Sequence, residues 1–146
     1  MKQIERQIDR LIVRLKQLEA LENLRFVREY GPHKKESPLK GALAVVSIKE
    51  VSLTKSFIGG VSEGGVKGEK YSATVSIRVY APNMESGNGL SETVGELMLG
   101  LRESDEEKII TDMSASAIEF DAEIGAVYRT VSFGVDFFLC EEASAV

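Results

Sequence analysis

Two stretches constrain this chain more than any others: Lys70 to Ala81 (KYSATVSIRVYA) and Ala126 to Cys140 (AVYRTVSFGVDFFLC). In the first, Tyr71, Ala73, Val75, Ile77 and Val79 alternate with Ser72, Thr74, Ser76 and Arg78. In the second, Val127, Val131, Phe133, Val135, Phe137 and Leu139 fall on one parity, with Tyr128, Thr130, Ser132, Gly134 and Asp136 on the other. Successive side chains of a strand point to opposite faces, so both stretches read as central strands with one apolar and one polar face. One covered and one polar face suits an antiparallel sheet with helices packed on a single side.

Two helix-patterned segments are available as that cover. From Lys2 to Glu29, Ile4, Ile8, Leu11, Ile12, Leu15, Leu18 and Leu21 recur at spacings of three and four, which predicts one amphipathic helix. The like-charged pairs Glu5/Asp9 and Arg10/Arg14 do not favour it, so burial of the stripe is its expected support, on the chain's own sheet or, alternatively, on a second copy. Gly31-Pro32 ends the segment, because proline cannot continue a helix. From Ser91 to Arg102, Leu90, Val94, Leu97, Met98 and Leu101 predict a second helix, capped by Asn88 or Ser91. Gly95 weakens that helix, and close approach to the sheet is the expected return.

Ala42 to Thr54 is rich in β-branched residues and reads as a first strand, with a slip in its alternation at Lys49-Glu50 that predicts a bulge. Lys108 to Phe120 reads as a third strand with weaker alternation, and Asp121 to Gly125 as the turn into the last. The expectation is one α+β domain over residues 1–146: a mainly antiparallel four-stranded sheet made of hairpins 42–81 and 108–140, with helices 2–29 and 91–102 on one face. A single domain of this length buries roughly two-thirds of its unfolded surface.

Between the first two strands, Ser56 to Gly68 holds five glycines and has little intrinsic preference for order, so a long hairpin tip is expected there. Ser56, Phe57, Ile58, Gly59, Gly60, Val61, Gly64, Gly65, Val66 and Lys67 are its candidate assembly residues, an arm that orders against a neighbouring subunit. A phosphate cradle fails on spacing, since Val66 and not lysine follows Gly65 and no helix pattern comes next. Gly87-Asn88-Gly89 resembles the start of a dinucleotide fingerprint, but Glu92 stands where the third glycine belongs.

No catalytic, cofactor-binding or metal-binding set emerges. His33 has no Cys or Asp close in sequence and reads as a loop histidine, Cys140 as a small strand hydrophobe, and Glu103 to Lys108 as a solvated acidic linker. Asp121 and Glu123 are the best carboxylate pair for acid–base work, yet they flank a turn and read as surface residues. A net charge of −5 argues against a nucleic-acid face, despite Lys34, Lys35 and Lys40. No apolar run is long enough to span a bilayer, and the N-terminal charges are spread in a way unlike a signal peptide, so a cytoplasmic protein is expected.

The order of elements nevertheless resembles the tail terminator and tail-completion (head–tail joining) proteins of tailed phages and contractile bacteriocin-like particles. The likeness rests on the N-terminal helix, the strand VSIRVYAP at Val75 to Pro82, the helix GLSETVGELMLGL at Gly89 to Leu101 and the passage DAEIGAVYRTVSF at Asp121 to Phe133. It is one of pattern, without a diagnostic motif. It implies a homo-oligomeric ring, usually a hexamer, that caps the tail tube, ends its polymerisation and joins it to the head connector or collar. Its implied partners are tube and sheath or connector proteins, with DNA only as passing cargo, no membrane, no cofactor and no catalytic residues. A small-molecule-binding or regulatory α+β module, an enzyme, and another tail component such as a tube or connector subunit are the alternatives. Native mass or light scattering separates a ring from a ligand-stabilised monomer.

Overall fold

The two alternating stretches form the centre of the sheet. The computed structural model describes residues 2–29, 41–58, 66–82 and 88–140. In it, β3 (Val66–Pro82) runs antiparallel to β6 (Ala126–Cys140), paired without interruption from Gly68↔Cys140 to Pro82↔Ala126. β2 (Leu43–Ile58) pairs antiparallel with the other side of β3. β1 (Arg25–Arg28) lies parallel to β2, while β4 (Ile110–Ala115) and β5 (Glu119–Asp121) pair in turn along the outer side of β6. The described residues thus form a mixed sheet of six strands, with β1 on one edge and β4 followed by β5 on the other. With α1 (Lys2–Lys16) and α2 (Asn88–Ser104) the architecture is α+β.

The sheet is mainly antiparallel, as expected, but it has six strands instead of four and one parallel pair, β1 with β2, and both added strands have local causes. The long N-terminal helix stops at Lys16 instead of Glu29. Gln17 N–H and Leu18 N–H bond the carbonyls of Arg14 and Leu15, a tightening to three-residue turns that continues through a 3₁₀ turn at Glu19–Leu21. Leu15, Leu18 and Leu21 fit that three-residue spacing, after which Leu24 and Phe26, both buried, follow the two-residue period of a strand. At the other edge the expected strand 108–120 is two strands. Ser116 to Ile118 interrupt it, and the Ser116 hydroxyl accepts the Thr130 N–H (2.9 Å) in place of a ladder carbonyl.

Both helices lie over one face, as the amphipathic patterns require. Ile4, Ile8, Leu11 and Leu15 of α1 and Leu90, Val94, Leu97 and Leu101 of α2 are buried in one cluster with Ala44 and Val46 of β2, Val75, Ile77 and Val79 of β3, and Val131, Phe133 and Val135 of β6. The like-charged pairs of α1 turn out to be clamps. Glu5 and Asp9 both hold the Arg28 guanidinium of β1, while Arg10 and Arg14 face Glu107 and Glu106 beyond α2. Arg14 also donates to the Ser104 carbonyl (2.8 Å), one of the open acceptors at the α2 C-terminus.

Close approach to α2 occurs at Gly100 and not at Gly95. A Cβ at Gly100 would lie 2.8 Å from Leu18 Cδ1 and 3.1 Å from Leu15 Cδ2, whereas one at Gly95 would meet nothing within 4 Å. Gly95 is exposed in the middle of the helix. Gly95→Ala is therefore expected to stabilise the protein by about 1 kcal/mol, read as a higher urea midpoint at unchanged slope. A neutral or negative shift would contradict the open position of that residue.

The linker read as wholly solvated contains a buried carboxylate. Asp105 is 6% exposed, and its two oxygens accept the backbone N–H groups of Ile109 (2.9 Å) and Ile110 (2.8 Å). This ties the chain leaving α2 to the start of β4, through a turn that holds Lys108 at φ 57°. In the turn before β6, Asp121 accepts the Glu123 N–H (3.0 Å) and Gly125 takes φ 61°, a conformation that glycine adopts without a Cβ clash. The Asp121–Glu123 pair thus shapes a turn.

Candidate functional site

The sheet face turned away from the helices carries the most organised set of polar groups. Strand register places Ser47, Ser76, Ser132 and Ser114 in one row across β2, β3, β6 and β4. The next row is Glu50, Thr74, Gly134 and Thr111, and the one beyond holds Ser52, Ser72 and Asp136. Small hydroxyls and Gly134 on four adjacent strands leave a shallow floor, with the longer Glu50 and Asp136 at its margins.

Two bulges turn that floor into a trough. One falls in β2 between Ile48 and Glu50, where the alternation slips, and the other in β4 between Thr111 and Met113. A bulge adds a residue to one strand and bends it, so a bulge in each flanking strand raises both sides of the central pair. The β2 bulge also resets parity: Val46 and Ile48 lie opposite Ile77 and Val75 on the helix side, and beyond it Val51 lies opposite Ala73 on that same side. Glu50 and Ser52 are thereby delivered to the polar face. At the second bulge Asp112 takes φ 37°, a region in which Asp and Asn are tolerated better than most residues.

The trough encloses about 740 Å³. Glu50 and Asp112 stand on opposite rims, and Asp136 at one end is held by Lys70 Nζ (3.7 Å). Thr74, Ser114 and Ser132 have no hydrogen-bond partner for their hydroxyls among the described residues, and Glu50 and Asp112 have no ion-pair partner there. Gly134 leaves the room that Thr111 fills, since a Cβ at that position would overlap Thr111 Oγ1.

The same face closes at its other end in a second, smaller core. Leu43, Tyr80, Ala126 and Ile124, the last from the turn before β6, are buried together with Tyr128 at the margin. Arg78 stacks 4.6 Å from the centre of the Tyr128 ring and donates to the Tyr80 hydroxyl (3.3 Å), which donates onward to Asp121 (3.4 Å). The bond to Tyr80 is the chief reason that the Arg78 guanidinium is held above its ordinary pKa, so it stays a cation. Desolvation chiefly, and the Glu119 carboxylate next, push the Tyr128 phenol above the usual tyrosine range, against the opposing pull of Arg78. Arg78 is thus committed to packing and is no part of the trough.

The residues expected to form an assembly arm divide in two. Ser56, Phe57 and Ile58 are paired strand, opposite Gly68, Lys67 and Val66, so the loop is shorter than 56–68. Gly59, Gly60, Val61, Gly64 and Gly65 lie outside the described residues, as do His33 and the lysines near it. The trough was hidden in the sequence as polar positions of four separate strands. The signal for it was the recurrence of Ser and Thr there (VVSIKE, YSATVSIRV, TDMSAS, RTVSFGVDF), where lysine and glutamate would usually face water.

Among the described residues no group of three or more His, Cys, Asp or Glu is placed to hold a metal ion, and no helix is long and apolar enough to cross a membrane. No family model and no curated protein matches the chain. Several solved structures match it, among them one with a TM-score of 0.46 and 10% sequence identity, covering 92% of this chain and 95% of that one. A likeness that low carries no argument about function.

Proposed function

We propose that the chain is a structural subunit of a phage tail or a bacteriocin-like particle, of the tail terminator and tail-completion class. Copies of it close into a ring, a hexamer by the resemblance, that caps the tail tube, ends its polymerisation and offers a surface to the head connector or collar. In that role it makes and breaks no covalent bond. Its partners are its own copies, the tube and sheath or connector proteins, and DNA passes through it only as cargo. It is assembled in the host cytoplasm and ends in the virion, with the segment between β2 and β3 as the arm that meets a neighbour.

The observation that supports this reading is the outer edge formed by β4 and β5. Edge strands of monomers are blunted by charge or cover, because their free N–H and C=O groups invite pairing with another chain. Here β5 carries the carboxylates Glu119 and Asp121, yet Ile118 and Phe120 beside them are 44% and 57% exposed, an apolar pair that a partner would cover. Such an edge suits extension by a strand of a partner, and a head-to-tail contact of that kind closes into a ring when the rotation permits.

Native mass spectrometry with light scattering tests it. A discrete ring of several copies is the expected result, and a chain that stays monomeric at its highest soluble concentration overturns the proposal. Phe120→Lys puts a charge on the free edge, and is expected to shift the ring to monomers while the far-ultraviolet circular dichroism is unchanged. A ring that survives this substitution would remove β5 from the contact.

A further inference from the structure

The hydroxyl-floored trough has a binding chemistry of its own, apart from the exposed Ile118 and Phe120. Its volume, about 740 Å³, lies in the range of small-molecule sites. The row Glu50, Thr74, Gly134, Thr111 spans four strands, so the backbones of Glu50 and of Asp112, the bulge residue next to Thr111, stand three strand spacings apart, about 14 Å. The adjoining cation, Lys70, is engaged with Asp136. Among the described residues the trough's own lining holds carboxylates on both rims and no cation; Arg102 and Lys108 line the neighbouring hollow, which shares Thr111 and Asp112. Apolar ligands meet hydroxyls, and sugar rings find no aromatic face, because Phe133 turns its ring into the core and is 2% exposed. A linear molecule with a cation at each end and hydrogen-bond donors between them is what remains.

We propose that the trough binds a linear polyamine. Its terminal ammonium groups pair with Glu50 on one rim and Asp112 on the other, and its internal N–H groups donate to the hydroxyls of Thr74 and Ser132. Charge-assisted hydrogen bonds to two separated carboxylates select chain length as well as charge. This site goes beyond the assembly role and shares with it only the strand β4.

Calorimetric titration of the full chain at physiological ionic strength tests the site, with spermine as probe and ethylenediamine as a dication too short to reach both rims. Spermine is expected to bind saturably at one site per chain, at least about tenfold more tightly than ethylenediamine, because it reaches both rims and ethylenediamine only one. The double variant Glu50→Gln, Asp112→Asn should weaken spermine by about tenfold or more. Asparagine tolerates the backbone conformation at position 112, and both side chains are exposed, so the fold is expected to survive. Glu92→Gln, Glu96→Gln removes the same charge from the exposed side of α2 and should leave binding unchanged. Equal weakening in the two double variants, equal affinity for the two amines, or no saturable binding of spermine would each overturn the proposal.

Discussion

Asp105→Ala is expected to destabilise the protein by about 2–4 kcal/mol, because two backbone N–H groups at a mostly buried site lose a charged acceptor together. For a chain of this length that corresponds to a fall in Tm on the order of 10 °C. Asp105→Asn is the informative companion. One amide oxygen still accepts a bond, but the amide nitrogen then faces the second N–H, so an intermediate loss is expected. Urea unfolding of the three proteins orders them wild type, Asn, Ala. A loss below about 0.5 kcal/mol for the alanine variant, the size of an ordinary surface substitution, would mean that the carboxylate does not secure the passage from α2 to β4.

The second large effect concerns the trough itself. In most strands alanine is at least as good as glycine, so Gly134→Ala would ordinarily be harmless. Here the new methyl group overlaps Thr111 Oγ1 on the neighbouring strand, and a loss of about 1–3 kcal/mol is expected from the crowding. Removing the obstacle with Thr111→Ala should rescue most of it, so the two substitutions are coupled by an amount on the order of 1 kcal/mol. If Gly134→Ala costs the same in both backgrounds, the contact across β4 and β6 is not what requires glycine.

Both effects arise at places where local sequence is ambiguous. Glu103 to Lys108 reads as a solvated acidic run, and only the packing of α2 against β4 picks out one of its carboxylates for burial. The position of Gly134 within an alternating strand carries no hint of Thr111, which is 23 positions earlier and reaches it by a pairing between strands. The pairs Glu5/Asp9 and Arg10/Arg14 show the same limit: within one helix they repel, and their partners Arg28, Glu107 and Glu106 come from elsewhere in the fold.

Local periodicity by itself determined the two long central strands and their faces, the apolar stripes of both helices, the bulge at Lys49-Glu50 and the turn at Asp121 to Gly125. Each depends on side chains within a few residues of one another, and a period of two or of three to four survives whatever packs against it. Tertiary structure decided where α1 ends, that Arg25 to Arg28 joins the sheet as a parallel edge strand, that β4 and β5 are separate, and that hydroxyls from four strands share one trough. Those outcomes depend on register between segments far apart in the chain, and a one-residue change of register would send every polar side chain of a strand to the other face.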